Sequence, residues 1–286
     1  MRVGFRLVDV FTDVPFAGNQ LCVVPETPDG LDADAMQRLA REIAFSETTF
    51  VTETGHATYR MRIFTPAGEL PFAGHPTLGT AFVLVSEGRV SSPLVQTTAA
   101  GEVPVEIDLD ARFGWSRHLP SEIGPVFEER GLVARATGLS ADDLHPELPM
   151  QVVSTGLAHL LVPVRDDDVL RAAVRDEAAC AEVVRRSSGE SLYLFAVRGE
   201  GDVRARMFDA DLSIGEDPAT GSAAGPLGAY LAIHGLAGMP GRALVAQGEQ
   251  VGRPSILHLD VQPEGEGWAV RVGGGVQVVG DGSFRL

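Results

Sequence analysis

The sequence predicts an α+β protein of two homologous domains, and two repeated features carry that prediction. The phrase Glu-x-Pro-x-x-Gly occurs twice, in ELPFAGHPTLGTA (69–81) and EDPATGSAAGPLGA (216–229). An offset of 221 − 74 = 147 aligns Gly74 with Gly221, Glu69 with Glu216, Pro71 with Pro218 and Gly88 with Gly235. Upstream, AGNQLCVVP (17–25) is echoed by TGLAHLLVP (155–163), and FSETTFVTE is echoed by SGESLYLFAV, with Glu47 over Glu190. The separation is far longer than a solenoid period of about 20–50 residues, so the echo describes domains rather than repeats of one array.

The stretch MRVGFRLVDVF alternates apolar with polar residues and reads as a first strand, not as a signal peptide. Amphipathic helices are expected over DADAMQRLAREIA and DEAACAEVVRRS, between the paired strands of each copy. Each Gly-rich phrase then opens a short buried helix that a glycine stops, Gly88 in one copy and Gly235 in the other. The acidic run RDDDVL reads as a helix start. The segment Trp115 to His145 has no counterpart and reads as linker plus first strand of the second domain. Domains are therefore expected over 1–118 and 119–286, with the last strand free to cross back. GRPSILHLDVQPEGEGWAVRVGGGVQVVGDGSFRL reads as hairpin strands, its GGG as a turn between strands.

Composition narrows the chemistry. With 23 basic and 39 acidic residues the formal charge is −16, which disfavours nucleic acid or an anionic lipid surface as partner. Every basic residue is arginine, so a lysine imine, a pyridoxal Schiff base and a Walker phosphate loop are excluded. No window is long and apolar enough to span a membrane, and a soluble, cytoplasmic protein is expected. The seven histidines show no metal-ligand spacing, and no metal is expected. Cys22 and Cys180 read as buried, reduced thiols.

A glycine turn feeding a helix lets an anion approach unpaired amides, so Gly74 and Gly221 are candidate binding positions for a small carboxylated substrate. With two related domains, the two helix starts can face each other across one cleft. His75, Asp217 and Ser222 flank these turns. Taken singly, Asp217 and Ser222 read as turn and cap residues and His75 as a satisfied histidine; taken together at matched positions they read as a site. Glu47, opening an apolar strand straight after a helix, has two readings: an acid/base whose pKa desolvation raises, or a charge on the rim of a strand. Ser222 lacks the Gly-x-Ser-x-Gly spacing of a nucleophile elbow, and no histidine is marked as its base.

The stretches VDVFTDVPFAGN, AFSETTFV, RIFTPAGELPFAGHPTLGTA and GEDPATGSAAGPLGAYL, with the terminal strands, resemble the PhzF-like family of phenazine biosynthesis, kin to diaminopimelate epimerase and proline racemase. The resemblance implies two domains of diaminopimelate epimerase-like fold, each a sheet wrapped around a central helix. It also implies a site between them, a homodimer and no cofactor. Ala73 and Thr220 stand where the related epimerases carry cysteines, which disfavours two-base inversion. Glu47 would be the single general acid/base of an isomerase acting on a dihydro-hydroxyanthranilate-like ring. His75, Asp217 and Ser222 would assist, with Asn19 near the substrate. Gln20 replaces a proline common in the family. An amino-acid epimerase or racemase, and a member that binds a metabolite without turnover, are the alternatives.

Overall fold

The computed structural model describes residues 1–98, 101–210 and 215–286. Two compact units emerge, one of Met1–Leu119 with Gly273–Leu286, the other of Pro120–Val272. Among the described residues no helix is long and apolar enough to cross a membrane.

In the first unit the elements run β1 (Arg2–Val10), β2 (Asn19–Val24), α1 (Ala33–Ile43), β3 (Glu47–Thr54), β4 (Thr58–Phe64), β5 (Glu69–Leu70), α2 (Gly74–Ser86), β6 (Leu94–Thr98), β7 (Gly101–Asp108) and β8 (Phe113–Arg117). The second unit contains β9 (Glu122–Val126), α3 (Arg130–Thr137), β10 (Gln151–Ser154), β11 (Ala158–Pro163), α4 (Asp167–Ala172), α5 (Glu177–Ser187), β12 (Ser191–Gly199), β13 (Asp202–Asp209), β14 (Glu216–Asp217), α6 (Gly221–Ile233), β15 (Gly241–Gln247) and β16 (Ser255–Glu264). β17 (Gly267–Arg285) belongs to both, and from Gly273 onward it lies in the first unit, antiparallel to β1.

The two units use one topology. β2 and β3 run parallel with α1 as their crossover, as do β11 and β12 across α4 and α5. β4 and β6 run parallel across α2, and β13 and β15 run parallel across α6. In the first unit the ladder β1–β2–β3–β4–β6–β7–β8 closes through β17, which pairs with both β8 and β1. The result is a barrel around α2.

A helix inside a sheet must be apolar on every side, and the residues obey. Eleven residues of α2, Gly74 through Leu84, are buried, and in α6 burial runs unbroken from Gly221 to Ala232. Glycines allow close approach: a Cβ on Gly79 would lie 2.7 Å from the Leu21 side chain, and one on Gly228 would lie 3.0 Å from Val261. Both helices stop as expected. Gly88 and Gly235 adopt positive φ, and the next residues, Arg89 and Leu236, return backbone bonds to Leu84 and Leu231.

The repeated glutamate acquires a structural reason. Arg62 on β4 holds Glu69 in two bonds of 2.7 and 2.6 Å, and Arg206 on β13 holds Glu216 in two of 2.8 Å. Each guanidinium also lies over a phenylalanine, Phe64 at 5.0 Å or Phe208 at 4.9 Å. These clamps fix the short strands that lead into α2 and α6. Arg206 is buried and also bonds the carbonyls of Leu170, Arg171 and Ala173 at the end of α4.

Three expectations are corrected. GGG is not a turn: Gly273, Gly274 and Gly275 lie within continuous β17, where a Cβ would strike Trp115, Phe11 and Asp13 respectively at 2.6 Å or less. The stretch after Trp115 is more than a linker and holds α3, which packs against α5. The pairing of Glu47 with Glu190 is off by one residue. Phe64 lies opposite Thr48 and Glu69, whereas Phe208 lies opposite Leu192 and Glu216. Thr48 therefore matches Leu192, and Glu47 matches Ser191; Glu190 is exposed.

The clamps differ in burial, which sets their worth. Arg206→Ala should cost roughly 3 kcal/mol of stability, because it leaves Glu216 shielded and unpaired. Arg62→Ala should cost about 1 kcal/mol or less, since solvent screens that pair. Urea unfolding of both variants measures the difference, and equal losses would contradict it.

Candidate active site

Each candidate residue is placed by an element end. Glu47 is the first residue of β3, reached from α1 through Ala44, which ends that helix in the left-handed conformation. His75 is the second residue of α2, buried at 3% exposure. The two meet: Glu47 Oε2 lies 3.3 Å from His75 Nε2, and the Glu47 side chain keeps only 12% exposure. The rim reading of Glu47 does not describe this position.

His75 is oriented from behind. The Ser46 hydroxyl donates to Asn19 Oδ1 at 3.0 Å, which turns the Asn19 amide nitrogen toward His75 Nδ1 at 3.2 Å. Which ring nitrogen carries the proton depends on the tautomer, since Nδ1 faces the Asn19 amide while the ring also bonds the Gln20 backbone. Removal from water pulls the His75 pKa down to about 3, and a hydrogen bond to the Gln20 backbone only partly opposes this. At neutral pH the pair is thus a neutral imidazole beside a carboxyl group. Asn19, 1% exposed, is the link between Ser46 and His75.

Behind the turn, Phe72 meets His118 edge-on, with ring centroids 6.0 Å apart.

The matching corner of the second unit is built from different chemistry. Asp217 Oδ2 accepts from the Thr220 hydroxyl at 2.6 Å. Gln247, from the end of β15, holds this turn: its amide nitrogen donates to the Asp217 carbonyl at 2.8 Å and to Thr220 Oγ1 at 2.9 Å. Its carbonyl oxygen accepts from Tyr193 at 3.0 Å and from the Thr220 amide at 3.2 Å. Tyr193 stays a hydroxyl, since burial and then the Asp217 charge raise its pKa. Ser222, second residue of α6, lies 3.1 Å from His159 Nε2, and His159 Nδ1 lies 2.8 Å from Ser191 Oγ. The expectation that no histidine attends Ser222 is corrected here. The sequence hid His159 because it is one polar residue inside the apolar strand AHLLVP.

Gly74 and Gly221 open α2 and α6, and neither start has a side-chain cap. The peripheral helices α1, α4 and α5 are each capped by an aspartate, Asp32, Asp166 or Asp176.

Both cysteines are buried thiols. Burial lifts Cys22 to about 12 and Cys180 to about 11, and Cys180 donates to the Ala136 carbonyl at 3.3 Å. Among the described residues no three His, Cys, Asp or Glu side chains gather as a metal site.

A family model described as phenazine biosynthesis-like protein, PhzC-PhzF, matches residues 8–282. The chain belongs to this PhzC-PhzF family. An uncharacterized isomerase of Salmonella typhimurium is 36% identical over 256 residues, which cover 87% of this chain and 86% of that protein. A trans-2,3-dihydro-3-hydroxyanthranilate isomerase of Pseudomonas aeruginosa is 34% identical over 267 residues, 92% of this chain and 91% of that one. The crystal structure of a PhzF-family protein from Bacillus anthracis superposes with a TM-score of 0.88 at 26% identity, covering 100% of both chains. This PhzC-PhzF member is an enzyme of an isomerase family with the α+β fold expected.

The state of His75 is open to a pH test. Its folded pKa lies below the ordinary value of 6.5, so the unfolded chain takes up a proton that the folded chain refuses. As pH falls from 7 to 4.5, the wild type should therefore lose stability relative to His75→Gln in urea titrations. A charged imidazolium–carboxylate pair would make the wild type gain instead.

Proposed function

We propose that this protein is a cofactor-independent isomerase that moves one proton within a small carboxylated ring of the dihydro-hydroxyanthranilate type. Glu47 is its single acid/base. The observation that carries this reading is asymmetry: the first unit places a carboxyl group beside a neutral imidazole, and the register-matched position of the second unit holds Ser191, a hydroxyl.

The ionised Glu47 takes a proton from a ring carbon. The C–H pair moves into the ring π system, and the same carboxyl group returns its proton to another carbon of that system. His75 Nε2–H donates to Glu47 while it is ionised. When Glu47 holds the proton the ring accepts, and its bond to the Gln20 backbone favours the complementary tautomer. The uncapped starts of α2 and α6, at Gly74 and Gly221, supply amides for the substrate carboxylate. Asp217, held by Thr220 and Gln247, and Ser222 bind its amino and hydroxyl groups. Inversion by two thiols has no support, because Ala73 and Thr220 stand where the related epimerases carry cysteines, and both cysteines of this chain are buried with raised pKa.

Turnover of trans-2,3-dihydro-3-hydroxyanthranilate tests the reading. Glu47→Gln should lower kcat about 10²- to 10⁴-fold at unchanged Tm, the usual worth of a general acid/base. Ser222→Ala should chiefly raise KM. Equal turnover in Glu47→Gln and wild type would overturn the role, and no turnover by either would overturn the substrate class.

A further inference from the structure

Among the described residues, the second unit contains a buried polar row whose matching positions in the first unit are filled differently. Ser191, His159 and Ser222 stand in line, with His159 Nδ1 2.8 Å from Ser191 Oγ and Nε2 3.1 Å from Ser222 Oγ. All three are buried, His159 at 2% exposure. In the matching row of the first unit, Leu21 lies opposite Glu47 across the parallel pair of β2 and β3. His159 takes the place of that leucine: its neighbour Leu160 lies opposite Leu192, so it falls beside Ser191. An imidazole thus replaces an aliphatic side chain where the carboxylate of the other unit is absent.

We infer that His159 is a positioning residue that sets the direction of the Ser222 hydroxyl, making Ser222 a donor or an acceptor according to which ring nitrogen carries the proton. This rests on the reading above that Ser222 contacts substrate. A neutral imidazole has one donor and one acceptor. With the proton on Nδ1, the ring donates to Ser191 and accepts from Ser222, and the Ser222 oxygen turns its lone pairs outward. With the proton on Nε2, the ring donates to Ser222, accepts from Ser191, and frees the Ser222 proton for a substrate acceptor. Ser191 suits both states because a hydroxyl donates or accepts with equal ease. The need for such a device follows from the reaction: moving a ring double bond changes an amino group conjugated to it between a weak and a strong hydrogen-bond partner, and a fixed donor would fit only one side of the reaction.

Two measurements on the full chain separate this inference from the function itself. In protein labelled with ¹⁵N histidine, whose seven histidines are assigned by single substitutions, Ser222→Ala should shift the Nε2 resonance of His159. Ser191→Ala should shift Nδ1. Unmoved His159 nitrogens in Ser222→Ala would overturn the inference whatever the substrate proves to be. In turnover of trans-2,3-dihydro-3-hydroxyanthranilate, His159→Phe should lower kcat roughly tenfold, the worth of about one oriented hydrogen bond, with a smaller effect on KM. His159→Gln, whose amide reaches toward Ser222, should recover part of the loss. A folded His159→Phe with wild-type kcat would also overturn the inference. A wild type that leaves this compound unchanged would refute the proposed substrate, and the nitrogen shifts would then decide the role of His159 alone.

Discussion

A helix buried inside a sheet must have its first turn held by the residues around it, and this constraint shapes both units. No side chain caps the starts of α2 and α6, whereas α1, α4 and α5 each carry an aspartate cap. Something must hold each entering turn in place without capping it. The Arg62–Glu69 and Arg206–Glu216 clamps do so from one side. In the second unit, Gln247 does so from the other. The polar residues just after the glycines, His75 and Ser222, are thereby fixed on the first turns of the two helices.

The two units then diverge on one framework. Parallel pairing of β2 with β3 sets Glu47 next to His75, and parallel pairing of β11 with β12 sets Ser191 next to His159. The matched positions of the two units carry different side chains. One unit sets a carboxyl group beside an imidazole, and the other sets hydroxyl and amide groups around its turn. Burial keeps His75 neutral, so it faces the carboxyl group as an uncharged ring rather than as a counter-charge.

Much of this was legible in the sequence for physical reasons. Small residues and a stop glycine mark a fully buried helix, and Asp before an amphipathic run marks a capped one; all five such helices are present. What escaped had weak local signals. α3 begins at Glu129 with no side-chain cap and runs only eight residues. The glycines of β17 answer to Trp115 and Phe11, which are distant in sequence. The site partners His159, Ser191 and Gln247 are isolated polar residues on strands, and only register brings them to the turns. Glu190 resembled Glu47 by letter, but the ladder assigns that place to Ser191.

The central claim is that one carboxyl group, and no second base, handles the proton. Turnover of trans-2,3-dihydro-3-hydroxyanthranilate in D₂O, followed by proton NMR, tests it most directly. Any deuterium that enters the product should sit at the single carbon that receives the proton, and recovered substrate should keep its configuration. Deuterium at a second carbon, or epimerised substrate in the recovered pool, would require another base and contradict the account.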